Sequence, residues 1–396
     1  MTTRNPTNGV HDKAARDLVP MIAALSDRIE RERELPAELL AALHKARLFH
    51  MLTPRQIGGE QVDVITFYHA IEAIAAADAS TAWCVGQANG VATAAAAYLE
   101  PAVAREIFGG ATSTVASGPN SRVARAVRTK GGYRVTGKWS FASGSRHSQV
   151  LGAHCTVFDD AATIAKSADG RPLDRTMLFP KAQASVIDNW QVMGLRGTGS
   201  DAYEVEDLFV PEAWSYTRDA AADRRVDAPL YVHVTGFNLF GLSFSAVALG
   251  VARACLDEFT KLAAEKSPQG AGWAWVLRDN AVVQSKVAQA EAQWSASRAL
   301  VLDVYGELWA KANAGTPFTL TDRARMRMAS TWAMNEACKV VDVVYRAAGA
   351  TAIFEANPFE RRFRDINCAS QQGQAAQANF EIVGQVLLGI TPKGRV

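Results

Sequence analysis

Val283, Val287, Ala290, Trp294, Ser297, Val301, Val304 and Leu308 follow one another at intervals of 4, 3, 4, 3, 4, 3 and 4. A stripe with a period near 3.5 residues stays on one face of an α-helix, and at this length it is buried only by other helices. The segments 244–266, 322–348 and 370–388 are long enough to be those partners. The spacing therefore predicts a four-helix bundle in the C-terminal part of the chain.

The rest of the chain has two textures. After a polar tail to Asp12, Leu18, Met21, Ile22, Leu25 and Ile29 fall at helical spacing, and Pro36 precedes a second stripe of Leu39, Leu40, Leu43 and Leu48. Helix is expected again through Phe67, Ile71 and Ile74, in the alanine-rich run up to Tyr98, and from Pro101 to Phe108, where Gly109 and Gly110 close the region. From Ala111 to Tyr216 the pattern changes to short alternating runs, and 123–128, 133–141, 150–158, 176–179, 184–186 and 203–210 read as strands. The expected layout is mainly α with a central β domain: an N-terminal helical domain over 1–110, a middle β domain over 111–225 and the C-terminal four-helix bundle over 226–396. The loop 159–174 and the region 219–237 are expected to shape a pocket.

A chain of 396 residues with 48% hydrophobic residues can bury a large core. Its formal net charge of +2, without a run of Lys or Arg, leaves no electrostatic footprint for nucleic acid or an acidic membrane. Five cysteines in no CxxC spacing argue against a disulfide framework and a zinc site, and His44, His50 and His69 show no ligand spacing, so no metal is expected. The polar N-terminus lacks an apolar signal core, and no uncharged apolar run of about 18 residues is apparent, which reads as a soluble, cytoplasmic protein.

The chemistry is expected at Gly137-Lys-Trp-Ser-Phe-Ala-Ser-Gly-Ser145. Tyr133, Val135, Trp139 and Phe141 alternate with polar residues as in a half-buried strand. If the extended conformation continues, Ser143 emerges on the face of Trp139 and Phe141, beside the flexible Gly144, and suits a flat aromatic ligand with a polar edge. The plainer alternative makes Trp139 and Phe141 core residues and Ser143-Gly144-Ser145 a simple turn. No GxGxxG joins a strand to a helix, so no nicotinamide site is evident.

Together with Met193-Gly-Leu-Arg-Gly-Thr-Gly-Ser-Asp201 and Val205-Glu-Asp-Leu-Phe-Val-Pro211, this nonamer resembles the middle domain of the acyl-CoA dehydrogenase superfamily. Its Trp-x-Phe-x-Ser-Gly form resembles the superfamily's two-component, flavin-dependent monooxygenase (hydroxylase) branch. The resemblance implies the oxygenase component of a homotetramer. This component would take reduced FMN or FAD from a separate NAD(P)H-flavin reductase and oxygenate a small aromatic or heteroaromatic substrate with O2 through a flavin C4a-hydroperoxide. It places Trp139, Phe141, Ser143, Gly144, Trp190, Thr198, Arg278 and Gly349 around the flavin, with Ser143 near N5 and Arg278 near the phosphate.

The stretch from Ala348 to Asp365 matches the superfamily's glycine-rich turn and Pro-x-x-Arg-x-x-Arg-Asp segment. Many hydroxylases carry a histidine seven residues after that aspartate; this chain has Gln372, with Asn367 nearby and no histidine after His233. Glutamine can donate a hydrogen bond to a peroxide but cannot exchange a proton near neutral pH. Ser143 and Gln372 are thus the expected catalytic residues, and His147 and Asn367 candidate substrate contacts. One alternative is an FAD-containing acyl-CoA dehydrogenase or desaturase with Glu355 as base, although Glu355 stands three residues before Pro358 instead of the usual two. Another is a non-enzymatic ligand-binding relative. Ser143 with His147 makes only a weak case for a nucleophilic hydrolase, since no GxSxG elbow is present.

Overall fold

The structure is a computed structural model and describes residues 9–119, 123–167, 170–217, 223–234, 236–267 and 276–394. Among these, five helices come first: α1 (Val10–Glu32), α2 (Ala37–Lys45), α3 (Val64–Ala77), α4 (Ala79–Tyr98) and α5 (Pro101–Phe108). Short polar side chains set where two of them begin. Asp63 accepts from the backbone N–H groups of Ile65 and Thr66, and Asp78 from that of Thr81, satisfying donors that a first helical turn leaves over. Asp78 is also extended, at φ −152°, so α3 stops and α4 starts at one residue.

Eight strands follow: β1 (Val115–Ser117), β2 (Arg125–Thr129), β3 (Gly132–Trp139), β4 (Val150–Phe158), β5 (Asp174–Pro180), β6 (Ser185–Ile187), β7 (Ala202–Pro211) and β8 (Ser215–Tyr216). They form one sheet in the order β6-β7-β3-β2-β4-β5-β8. β4 pairs in parallel with β1 along its first half and with β2 along its second. The six expected strands are present, while β1 and β8 were not foreseen, being too short to show an alternation. Tyr133, Val135, Trp139, Cys155, Phe179 and Tyr203 fill a core belonging to the sheet.

The helices resume with α6 (Pro229–His233), α7 (Gly236–Glu265), α8 (Ala281–Asn313), α9 (Leu320–Ala348), α10 (Pro358–Ala369) and α11 (Ala378–Leu387). On α8 the stripe is buried from Ala290 through Leu308, with Trp294 half-buried. α7 corrects the reading that no segment has membrane-span character. It is long and apolar enough to cross a bilayer, but 89% of its most apolar window is buried inside the fold, and it is the central helix of the bundle. α1 to α4 share one continuous apolar core with α7 to α10.

The fourth bundle helix also differs from expectation. No single helix runs over 370–388; α10 ends at Ala369, a 3-10 turn occupies Gly373–Ala375, and α11 starts at Ala378. Polar side chains hold the break. Gln372 accepts from the backbone N–H of Gln374, Thr331 donates to the Gln374 carbonyl, and Asn379 donates to the carbonyls of Gly373 and Gln374. Buried backbone groups freed from a helix need such partners. Residues 371–374 at the break line a cavity shared with the sheet.

Gly250 sets the spacing between α7 and α3. A Cβ there would lie 2.4 Å from the Glu72 carbonyl oxygen and 2.7 Å from Ala75 Cβ. Gly250→Ala is therefore expected to cost about 1–3 kcal/mol through overpacking against a helix-propensity gain of about 1 kcal/mol, a net loss of up to about 2 kcal/mol. Denaturant unfolding of the variant checks this.

Candidate functional site

A cavity of about 700 Å³ lies between the sheet, α4, the start of α7 and the break between α10 and α11. Trp83 of α4 and Phe240 and Phe244 of α7 make its helical wall. The Trp83 indole stacks on Phe244 with ring centres 4.0 Å apart and planes at 10°, giving a flat apolar surface. Gln371, Gln372 and Gln374 close the adjoining side.

The opposite wall is built by two turns that bind each other. The first follows β3. The extended backbone does not run on as expected: Phe141 adopts φ 59° and Gly144 φ 80°. Gly144 N–H donates to the Thr198 carbonyl at 2.8 Å. This reversal separates side chains that a continuous strand would have aligned. Phe141 and Ser143 face the cavity, whereas Trp139 points into the sheet core, 5.3 Å from Tyr203, and donates its indole N–H to the His154 carbonyl. Trp139 does not line the cavity. Phe141 is 60% exposed and meets Trp190 edge-on at 5.9 Å.

The second turn, Leu195 to Asp201, is fixed at both ends. Buried Asp201 receives Arg146 Nε at 2.7 Å and the Trp190 backbone N–H at 3.2 Å. At the other end Leu195 N–H donates to Asp365 Oδ1 at 2.6 Å, so the motif around Leu195 and the one ending in Asp365 meet directly. Gly194 permits the approach, since a Cβ there would lie 2.3 Å from the Arg364 carbonyl oxygen. Asp365 is fully buried. Desolvation, followed by the charges of Asp78 and Glu30, raises its pKa to about 7 against the opposing Leu195 N–H and Arg364.

The hydroxyls between these turns form a directed chain. Thr198 Oγ1 donates to the Leu195 carbonyl at 2.7 Å, because a carbonyl can only accept. Thr198 must then accept from Ser200 at 2.7 Å, and Ser200 from Ser143 at 2.7 Å. Ser143 Oγ in turn accepts from Trp83 Nε1–H at 3.1 Å. With its own proton committed to Ser200, Ser143 has only a lone pair to offer the cavity.

The other expected site residues are distributed unevenly. Trp190, Thr198 and Gln372 line the cavity, whereas Gly144 lies off the lining against the His147 ring, where a Cβ would stand 3.0 Å from Nε2. Gln372 spends its amide oxygen on the Gln374 N–H, which leaves its NH2 as the group it can present. His147 packs behind the Ser143 turn against Phe49, and burial pushes its pKa down to about 3, so it stays neutral and does not reach the cavity. Asn367 donates to the Phe363 carbonyl within α10 and lies off the lining. Arg278, Gly349 and Glu355 are exposed on the surface and none lines the cavity of this chain.

Sequence reasoning missed Trp83, Ser200, Phe244, His154 and Asp365. Ser200 and Asp365 stand inside the recognised motifs and were open to notice. Trp83, one aromatic in an alanine-rich helix, carried no local signal, and His154 showed no partner within its strand.

A mostly apolar cavity with a flat aromatic face and a row of hydroxyls at one edge defines a site for a planar, polar-edged cofactor, and the residues present fit a flavin. Residues 8–110 match the family profile of the acyl-CoA dehydrogenase N-terminal domain and residues 242–375 that of the acyl-CoA dehydrogenase C-terminal domain. The chain is 30% identical to the oxygenase subunit HsaA of a flavin-dependent monooxygenase from Rhodococcus jostii, over 88% of this chain and 90% of that protein. It is 28% identical to indole-3-acetate monooxygenase of Pseudomonas putida, over 92% and 90% respectively. In fold it superposes on XiaF from Streptomyces sp., solved with FADH2 and glycerol, with a TM-score of 0.88 and 24% identity over 98% of each chain. The chain belongs to the acyl-CoA dehydrogenase superfamily, in its flavin-dependent monooxygenase branch, and is an oxidoreductase.

Proposed function

We propose that this protein is the oxygenase component of a two-component system, receiving reduced FMN or FAD from a separate NAD(P)H-flavin reductase and using O2 to oxygenate a small aromatic or heteroaromatic substrate. The observation that carries this reading is the direction of the Trp83–Ser143–Ser200–Thr198 chain. Reduced flavin bears a hydrogen on N5, whereas oxidised flavin presents a lone pair there. A Ser143 oxygen that can only accept complements the reduced form and repels the oxidised one. Bound reduced flavin would supply the oxygen-activating chemistry. Trp83, Phe240 and Phe244 would exclude water and hold a planar substrate against it, and the Gln372 NH2 would donate to developing oxygen charge.

The names of relatives support the same class: an FADH(2)-dependent resorcinol hydroxylase of Rhizobium sp. and the indole-3-acetate monooxygenases act on aromatic compounds. Dehydrogenation of an acyl thioester needs a carboxylate at the reacting carbon. Glu355 is exposed and off the lining, and Asp174, at the sheet end, is the carboxylate that lines the cavity among the described residues.

The active form in this reading is a cytoplasmic homotetramer in which a neighbouring copy brings Arg278 and Gly349 to the flavin. Exposed apolar side chains beside both, Val282 near Arg278 and Ile353 and Phe354 near Gly349, suit a surface covered by another copy. Arg278→Ala is expected to weaken reduced-flavin binding about 10-fold or more, the usual scale for a lost charged hydrogen bond, with the tetramer retained. Anaerobic titration combined with native mass spectrometry tests this; unchanged affinity in an intact tetramer would refute the role of Arg278. Ser200→Ala tests the hydroxyl chain separately. It frees the Ser143 proton, and the preference for reduced over oxidised flavin is expected to shrink about 10-fold.

A further inference from the structure

The break between α10 and α11 carries a line of polar groups that starts at a buried charge. Arg327 on α9 is 3% exposed, and Phe237, which lines the cavity, covers its guanidinium with a ring centre 3.7 Å away. Its Nη1–H donates to Asn379 Oδ1 at 3.0 Å, while Nε and Nη2 are buried without a hydrogen-bond partner. No carboxylate among the described residues pairs with it. Burial pulls its pKa down to about 10 against the opposing Tyr305, so the charge persists at neutral pH. A neutral donor would serve Asn379 as well, and a buried charge without a partner costs stability. Packing therefore does not account for the charge at this position.

The groups beyond Arg327 point one way. Arginine can only donate, so Asn379 turns its oxygen to it and its NH2 to the Gly373 carbonyl at 2.9 Å. That carbonyl and the Gln374 N–H belong to one peptide unit, and the N–H donates to Gln372 Oε1 at 2.5 Å. The Gln372 NH2 follows on the same side-chain amide, at the cavity wall. Three planar amides are thus joined, oxygen to nitrogen, between the guanidinium and the cavity, and Asn379 and Gln374 are buried. An amide whose oxygen accepts a hydrogen bond becomes a stronger donor at its nitrogen, and a cation at the head of the line polarises every member in the same sense. Building on the monooxygenase reading above, we infer that Arg327 is a positioning residue whose charge, relayed through Asn379 and the Gly373–Gln374 peptide, strengthens the N–H that Gln372 offers to developing oxygen charge. In an unbroken helix the Gly373 carbonyl and the Gln374 N–H would be spent on residues four away, so the relay depends on α10 and α11 being separate.

The test compares full-length Arg327→Gln, which removes the charge and keeps an N–H donor, with Arg327→Lys, which keeps both. Three quantities are read: the Gln374 amide proton shift by NMR on flavin-free protein labelled at glutamine, stability by denaturant unfolding, and the stopped-flow rate at which bound reduced FMN first reacts with O2. Arg327→Gln is expected to move the Gln374 proton upfield and to slow the O2 reaction about fivefold, the difference between a charge-assisted and a neutral hydrogen bond. It is also expected to be at least as stable as wild type, since it loses an unpaired buried charge. Arg327→Lys is expected to hold the shift and the rate near their wild-type values. An unmoved shift in Arg327→Gln, a loss of its stability or folding, or a lysine variant that behaves like the glutamine one overturns the relay and leaves Arg327 a packing residue. A moved shift in a protein that binds no reduced FMN would sink the monooxygenase reading while the relay stands. Reduced FMN that binds and reacts with O2 equally fast in wild type and Arg327→Gln would sink the relay alone.

Discussion

Ser143→Ala is expected to lower the yield of oxygenated product per reduced flavin consumed by about 100-fold, the scale on which single preorganised polar groups act in active sites. The substitution has two separable consequences. It removes the lone pair that faces the cavity, and it leaves Trp83 Nε1–H buried without the acceptor it now has at 3.1 Å. The second effect costs about 1–3 kcal/mol of stability and loosens the indole that stacks on Phe244. Measuring product against flavin consumed, alongside denaturant unfolding, separates them. A stable variant with undiminished coupling would remove Ser143 from the chemistry.

Asp365→Ala is expected to have the largest structural effect. It deprives the buried Leu195 N–H of its acceptor, costing about 1–3 kcal/mol, and unfastens the Leu195 turn whose carbonyl anchors Trp190 Nε1 and Thr198 Oγ1. Weaker flavin binding should accompany the lower stability. Asp365→Asn keeps the acceptor and isolates the charge. The folded pKa of about 7 is raised above the unfolded value near 3.9. The folded state therefore binds the extra proton between these values, and its stability contribution is lost as pH rises from about 4 to about 7. Asp365→Asn should accordingly gain stability relative to wild type across that window and level off above it. Parallel unfolding curves for the two proteins at every pH would contradict the assigned ionisation.

The long stripe on α8 was legible because a periodic pattern repeated over many turns survives local irregularity. The break after α10 was not legible. Ser370-Gln-Gln-Gly-Gln-Ala-Ala376 contains no proline, and what interrupts the helix is a set of side-chain bonds from Thr331 and Asn379. Phe141 and Ser143 of the Ser143 stretch line the cavity, but alternation misplaced Trp139. A left-handed Phe141 has no sequence signature, and it sends Trp139 and Ser143 to different places. The motifs around Leu195 and Asp365 were each readable, whereas their contact, 170 residues apart, exists only in the folded chain. The same holds for Trp83, whose meaning depends on Ser143 lying against it.

The central claim is that this cavity accepts reduced flavin and directs oxygen to an aromatic substrate. The most direct measurement is an anaerobic titration with reduced and oxidised FMN and FAD, followed by addition of labelled O2 with an aromatic substrate and mass analysis of the product. Tighter binding of reduced flavin and one labelled oxygen atom in the product is the result expected. Tight binding of oxidised FAD, bleached by an acyl-CoA and with no label incorporated, would contradict it.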